Sequence, residues 1–119
     1  MKKILIIDDD YEVVEFMKNL LEKKGYFVNT ASDGVVGLTK AKNEQPDLIV
    51  LDIGMPHING HRFIREIKEI NEAKNIAILV CSGKDLEPDV MKAEGINHYL
   101  TKPVRADVLF NEIIKIIGK

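Results

Sequence analysis

Two short runs decide the fold: Ile4-Leu5-Ile6-Ile7-Asp8-Asp9-Asp10 near the start of the chain and Leu48-Ile49-Val50-Leu51-Asp52 in its middle. Each holds four consecutive apolar residues and then turns abruptly to aspartate. A strand with one wet face alternates apolar and polar. A run apolar at every position belongs to a strand covered on both faces, as in a parallel sheet flanked by helices. Both runs therefore predict buried strands that deliver acid at their carboxyl ends.

Working outward, Tyr11 to Lys24 carries Val13, Val14, Met17, Leu20 and Leu21 at helical spacing, and Gly25 stops it. Phe27 to Thr30 reads as a second strand. Ser32 and Asp33 offer caps to a helix through Val35, Val36, Leu38 and Ala41 that ends before Pro46. After the Leu48 to Leu51 strand, Asn59 is the expected cap of a helix through Phe63, Ile64, Ile67 and Ile70. A strand from Ile76 to Cys81, a short helix near Glu87 to Glu94, a strand from His98 to Leu100 and a last helix from Arg105 to Ile117 complete the order. Five βα units predict an α/β fold, a doubly wound five-stranded parallel sheet with helices on both faces. Five strands fit the flavodoxin-like order 2-1-3-4-5, whose switch point lies between strands 1 and 3.

The chain has 119 residues, 45% hydrophobic and 30% charged, as suits one globular domain over residues 1–119. Lys and Arg number 17 against 19 Asp and Glu, a net charge of -2 that supplies no field for nucleic acid or an acidic membrane. No stretch approaches the ~20 apolar residues of a membrane span, and the first apolar run is too short for a signal peptide. The single Cys81 excludes an internal disulfide and a cysteine-cluster metal site. A cytoplasmic protein is expected. Cys81, within an apolar strand, reads as a buried inert thiol. His57, His61 and His98 show no ligand spacing.

At the switch point, Asp8, Asp9 and Asp10 meet Asp52 with no basic residue beside them in sequence. A solvated acidic turn opening a helix is one reading. Because Asp52 arrives from a separate strand, a hard divalent cation is favoured, Mg²⁺ first and Mn²⁺ as an alternative. The same acids repel the phosphates of a dinucleotide or flavin, and no G-x-G-x-x-G or P-loop occurs. Ser82 after the fourth strand and Lys102 after the fifth bring a hydroxyl and an ammonium to the same edge. With the acids they make a phosphoryl-transfer set.

These pieces in this order resemble the receiver domains of two-component response regulators. The matching segments are Ile4 to Asp9, Pro46 to Pro56, Asn59-Gly60, Ser82-Gly83 and Tyr99-Leu100-Thr101-Lys102-Pro103. The resemblance implies that Asp52 accepts a phosphoryl group from a phosphohistidine. It implies that Asp8, Asp9, Asp52 and the Gly54 carbonyl hold Mg²⁺, and that Lys102 contacts the phosphoryl group. It makes Ser82 and Tyr99 the switch pair. Implied partners are a sensor histidine kinase or phosphotransfer protein, and a downstream protein target or an output domain absent from this chain. A homodimer through the fourth and fifth helices is a further option, with no direct nucleic-acid or membrane partner.

Four departures stand out. Ser82 replaces the commoner Thr and Gly83 the commoner Ala. Asp10 stands for the commoner Glu, and its shorter side chain reaches a metal less easily. Gly54 has no side chain to gate the site. Ser82 to Lys102 is about two residues short, so the fourth helix is expected to be short or displaced.

Two rival functions fit the sequence less well. An aspartyl-phosphate phosphatase of the haloacid dehalogenase type needs a second Asp two residues after the nucleophile, where this chain has Gly54. A receiver that only docks would not need the full acid, hydroxyl and lysine set. On the last helix, Leu109, Ile113 and Ile116 form one line. Phe110, Ile114 and Ile117 lie beside it, and the wide apolar face they make reads either as a deeply buried helix at the sheet's edge or as a partly exposed face for a partner or a second copy.

Overall fold

The computed structural model describes residues 1–54, 60–83 and 88–119. The elements run β1 (Lys3–Ile7), α1 (Tyr11–Lys23), β2 (Phe27–Ala31), α2 (Gly34–Glu44), β3 (Leu48–Leu51), α3 (Gly60–Ile67), β4 (Ala77–Ser82), α4 (Pro88–Ala93), β5 (Tyr99–Thr101) and α5 (Ala106–Ile117). The strands form one parallel sheet in the order 2-1-3-4-5, as expected.

The unbroken apolar strands work as two-sided core. Leu5, Ile7, Ile49, Leu51, Ile78 and Val80 join one cluster with Phe63, Ile64 and Ile67 of α3 and Met91 of α4. The alternate residues Ile4, Ile6, Leu48, Val50, Leu79 and Cys81 join a second cluster with Val14, Met17 and Leu21 of α1 and Leu109 and Ile113 of α5. Successive strand side chains point to opposite faces, so every position must be apolar when helices cover both. Ile6, Ile7, Leu48 and Leu51 are all fully buried.

The register aligns the carboxyl ends. Ile7 sits opposite both Ala31 and Leu51, Leu51 opposite Val80, and Ser82 opposite Thr101. Gly60 begins α3 against the end of β3. Its N–H donates to the Ile53 carbonyl at 3.1 Å, and a Cβ there would stand 2.3 Å from the Ile53 Cα. Only glycine permits that approach.

Helix α3 ends at Ile67, short of the expected Ile70. The chain tightens there into turns, with Ile70 N–H donating to the Ile67 carbonyl, while Ile70 still packs on the first cluster. Strands β4 and β5 each sit one residue further along than expected. The expected Asn59 cap, the Glu87 helix start and His57 lie outside the described residues. The described part of the fourth helix is α4, six residues from Pro88 to Ala93, and the segment before it on which the expected shortening falls lies outside the described residues.

On α5 the buried reading holds for most of this wide apolar face. Leu109 and Ile113 are buried, and Phe110, Ile116 and Ile117 pack on the second cluster. Phe110 also meets Tyr26 edge-on at 6.5 Å, with the Lys24 ammonium 4.7 Å above its ring. The Tyr26 hydroxyl donates to the Gly118 carbonyl and ties the end of α5 to the body. Lys24 and Tyr26, in the turn between α1 and β2, thus engage the side that helical spacing alone left open, and Ile114 remains half-buried outside both clusters.

Cys81 is the inert thiol that its strand suggested. It is 1% exposed, and burial pushes its pKa from 9.0 up to about 12. The native thiol keeps its proton where the unfolded chain releases it, so stability falls as pH rises through 9 towards 12. At pH 8, native Cys81 should react with iodoacetamide roughly a thousandfold more slowly than the urea-unfolded chain, since each pKa unit is a factor of ten in thiolate. Comparable rates would show that strand β4 is open to solvent.

Candidate functional site

Each site residue continues the sheet by one step. The Asp8 N–H donates to the Ala31 carbonyl at 3.1 Å, the Asp52 N–H to the Ile7 carbonyl at 3.0 Å, and the Lys102 N–H to the Ser82 carbonyl at 2.7 Å. The backbone is therefore fixed before any side chain acts. The peptide between Lys102 and Pro103 is cis, a feature the sequence reading did not assign although X-Pro is its one common setting.

The aspartates divide their work. Asp10 caps α1: its Oδ1 accepts from the Glu12 and Val13 N–H groups at 3.0 and 3.4 Å. The helix-start reading of the acidic run is thus correct for Asp10, a cap that the expected helix start did not name. Asp8, Asp9 and Asp52 each offer a carboxylate oxygen, and these lie within 4.8 Å of one another. Among the described residues this is the one such group of three or more metal-type ligands. Asp8 is buried, Asp52 half-buried and Asp9 exposed.

Among the described residues, one cation faces this group. The Lys102 Nζ donates to Asp8 Oδ2 at 2.7 Å and stands 3.6 Å from Asp52 Oδ2. Asp52 Oδ1 accepts from the Ser82 hydroxyl at 3.0 Å and from the Gly54 N–H at 3.1 Å. Ser82 and Asp52 are thus joined across the ends of β3 and β4. The Gly54 contact comes from its N–H, which the sequence reading did not assign. Tyr99 stands on β5, 38% exposed, and makes none of these bonds. The described histidines lie elsewhere. His61 Nδ1 meets Glu94 at 2.5 Å, and His98 Nδ1 meets Glu112 at 3.3 Å.

Burial holds the Asp8 carboxyl above its ordinary 3.8 despite hydrogen bonds from Lys102 and the Asp10 N–H, and the Asp52 charge adds to the rise. On Lys102, burial pushes down most strongly. The Asp8 hydrogen bond and the charges of Asp8, Asp52 and Asp10 together outweigh it and hold the ammonium above its ordinary 10.5. Among the described residues, three carboxylates stand against one ammonium, which leaves the cluster two negative charges in excess. The ligand atoms are all hard oxygens at a strand-end cleft, which fits a hard divalent cation.

With this geometry in place, the relatives are informative. The model for the response regulator receiver domain matches residues 4–114. The chain belongs to that family. As a receiver domain it is a phosphoacceptor module of two-component signalling. It is 34% identical to protein PilH of Pseudomonas aeruginosa, over 99% of both chains. It is 41% identical to the alkaline phosphatase synthesis transcriptional regulatory protein PhoP of Bacillus subtilis over 86% of this chain, which spans 42% of that relative. Among solved structures, chemotaxis protein CheY4 of Vibrio cholerae superposes with a TM-score of 0.90 at 28% identity, covering 98% of both chains. The receiver domain of the sensor histidine kinase PA1611 of Pseudomonas aeruginosa, described with a magnesium ion coordinated in its active-site cleft, superposes at 0.88 and 25% identity, covering 99% of this chain and 98% of that one. No helix among the described residues is long and apolar enough to cross a membrane.

In this receiver Lys102 compensates a buried acid, so Lys102→Met should destabilise the metal-free protein at pH 7 by about 1–3 kcal/mol, the cost of a buried group left without its partner. Without the lysine the folded Asp8 pKa rises further. The deficit should shrink as pH falls through that raised range, because protonated Asp8 no longer needs a cation. Urea titrations of parent and variant from pH 7 to pH 4 measure this. A constant deficit would show that Lys102 acts through packing alone.

Proposed function

We propose that Asp52 is the residue that takes the phosphoryl group, from the phosphohistidine of a sensor histidine kinase or phosphotransfer protein. The single observation that carries this is the meeting of Asp52 with Ser82, Lys102, Asp8 and Asp9 from four strand ends. In the step, an Asp52 oxygen forms a bond to phosphorus as the phosphorus–nitrogen bond of the donor breaks. Lys102 lies between Asp8 and Asp52 and can transfer its hydrogen bond from acid to phosphoryl oxygen. Ser82 already donates to Asp52 and can donate to the phosphoryl group instead. We assign Asp8, Asp9, Asp52 and the Gly54 carbonyl as holders of Mg²⁺, with Mn²⁺ able to substitute. Bound there, the ion supplies positive charge that offsets the anions of the transfer. The magnesium described in the PA1611 receiver supports this choice.

We read the whole chain, residues 1–119, as one cytoplasmic receiver domain. It assists its own phosphorylation and slow hydrolysis without turning over a free metabolite, since Gly54 stands where an acid/base aspartate would be needed. Release of the Ser82 loop toward the phosphoryl group would let Tyr99 move inward and alter the α4, β5 and α5 surface. Val90, Tyr99 and Val108 are exposed on those three elements, which suits a downstream protein or a second copy.

Asp52→Asn should abolish labelling by acetyl phosphate in Mg²⁺, whereas Ser82→Ala should retain part of it. Labelling that persists in Asp52→Asn would move the acceptor elsewhere. Millimolar Mg²⁺ should also raise the melting temperature of the parent, because only the native state assembles the ligands, and Asp9→Asn should remove most of that gain. An unchanged parent melting temperature would contradict the metal assignment.

A further inference from the structure

Strand β2 lies at one edge of the sheet, bonded to β1 alone, and β5 lies at the other. β5 has three residues, and an edge that short offers little to a second strand. β2 has five. The run Tyr26-Phe27-Val28-Asn29-Thr30-Ala31 holds aromatic and β-branched residues, no charge and no proline, a composition that pairs readily with further strands. The Phe27 N–H donates to the Lys2 carbonyl, and the Ala31 carbonyl accepts from the Asp8 N–H. Alternate residues of a parallel ladder turn their backbone groups to the same side, so Phe27, Asn29 and Ala31 face β1, while Val28 and Thr30 face outward. Both outward groups of Thr30 are already taken, and by side chains. Its N–H donates to Asn29 Oδ1 at 2.8 Å, and its carbonyl accepts from the Lys40 Nζ of α2 at 2.5 Å. The same ammonium donates to Asn29 Oδ1 at 3.3 Å. Glu44, the last residue of α2, holds the other end of the amide: its carboxylate oxygens accept from Asn29 Nδ2 at 2.8 and 2.9 Å.

We infer that Asn29, Lys40 and Glu44 form a guard that closes the outer edge of β2 against the β2 strand of a second copy. With Thr30 closed, at most Val28 can offer a ladder pair, too little for a strand to add. An incoming strand would also have to displace the Lys40 ammonium or bury it against its own backbone, at the cost of its hydration. The guard is built from side chains of β2 and α2 that are all half-buried and mutually bonded, so it is in place before any second chain arrives. Because β2 and β5 stand at opposite edges, two copies joined through β2 would associate without using the α4, β5 and α5 surface. The guard thus bars a self-association away from the proposed partner surface, and it stands independently of which residue accepts the phosphoryl group.

Sedimentation over a wide range of protein concentration, with hydrogen exchange followed amide by amide by NMR, tests this. Asn29→Val/Lys40→Met removes both covers and should tighten self-association by about tenfold or more over the parent, the worth of one or two ladder bonds. The Val28 and Thr30 amides of that variant should become protected from exchange as concentration rises, since they are the donors a second strand engages. Should circular dichroism show the double variant unfolded, Lys40→Met alone opens the Thr30 carbonyl while keeping an unbranched stem, and should shift association the same way by about threefold. A folded variant that associates no more than the parent would overturn the guard. Association that leaves the Val28 and Thr30 amides unprotected would overturn it too, because the contact would then lie elsewhere.

Discussion

Asp8 and Asp52 follow paired positions on β1 and β3, and the Asp52 amide extends that pairing by donating to the Ile7 carbonyl. Neither acid can move away without breaking the sheet. Asp8 is 4% exposed and cannot relieve the repulsion by turning into water. What makes the arrangement tolerable is the ion pair from Lys102, which reaches Asp8 from the far side of β4. The cluster is a charge imbalance enforced by the sheet and only partly compensated among the described residues.

That constraint explains why the strands are apolar throughout. The price of holding like charges together is met by a rigid support, which a sheet buried on both faces supplies. Two clusters, one on each face, clamp the strands so that three ladder bonds at the carboxyl edge set the positions of Asp8, Asp52 and Lys102. Asp10, by contrast, is turned away to cap α1, and it enters the electrostatics of the cluster only through its charge on Lys102.

The strand order, the two-faced core and the convergence of Asp8, Asp9, Asp52 and Ser82 were legible because each rests on a strong local signal, an unbroken apolar run with a polar residue at its end, whereas Lys102 follows the short mixed strand Tyr99–Thr101 and was legible from the strand order and its Lys-Pro context. Helix ends were less legible. The apolar periodicity through Ile70 persists in space, as Ile70 packs on the core, yet the backbone leaves the helix at Ile67. Phe110 shows a different limit. Helical spacing placed it beside the buried line, but Tyr26 and Lys24, distant in sequence, decide that it is covered. The Gly54 N–H bond to Asp52 and the Asp10 cap depend on local backbone direction, which residue identity alone does not specify.

Carbon-13 NMR of the aspartate carboxyls, followed with pH in the metal-free protein and again in saturating Mg²⁺, tests the central claim most directly. If the sheet forces an undercompensated acidic cluster, the Asp8 carboxyl titrates above the ordinary 3.8 without metal. It then shifts to lower pH when Mg²⁺ is present, because the cation competes with the proton for the same oxygens. An Asp8 that titrates at or below the ordinary value, or whose titration Mg²⁺ leaves unchanged, would contradict the account.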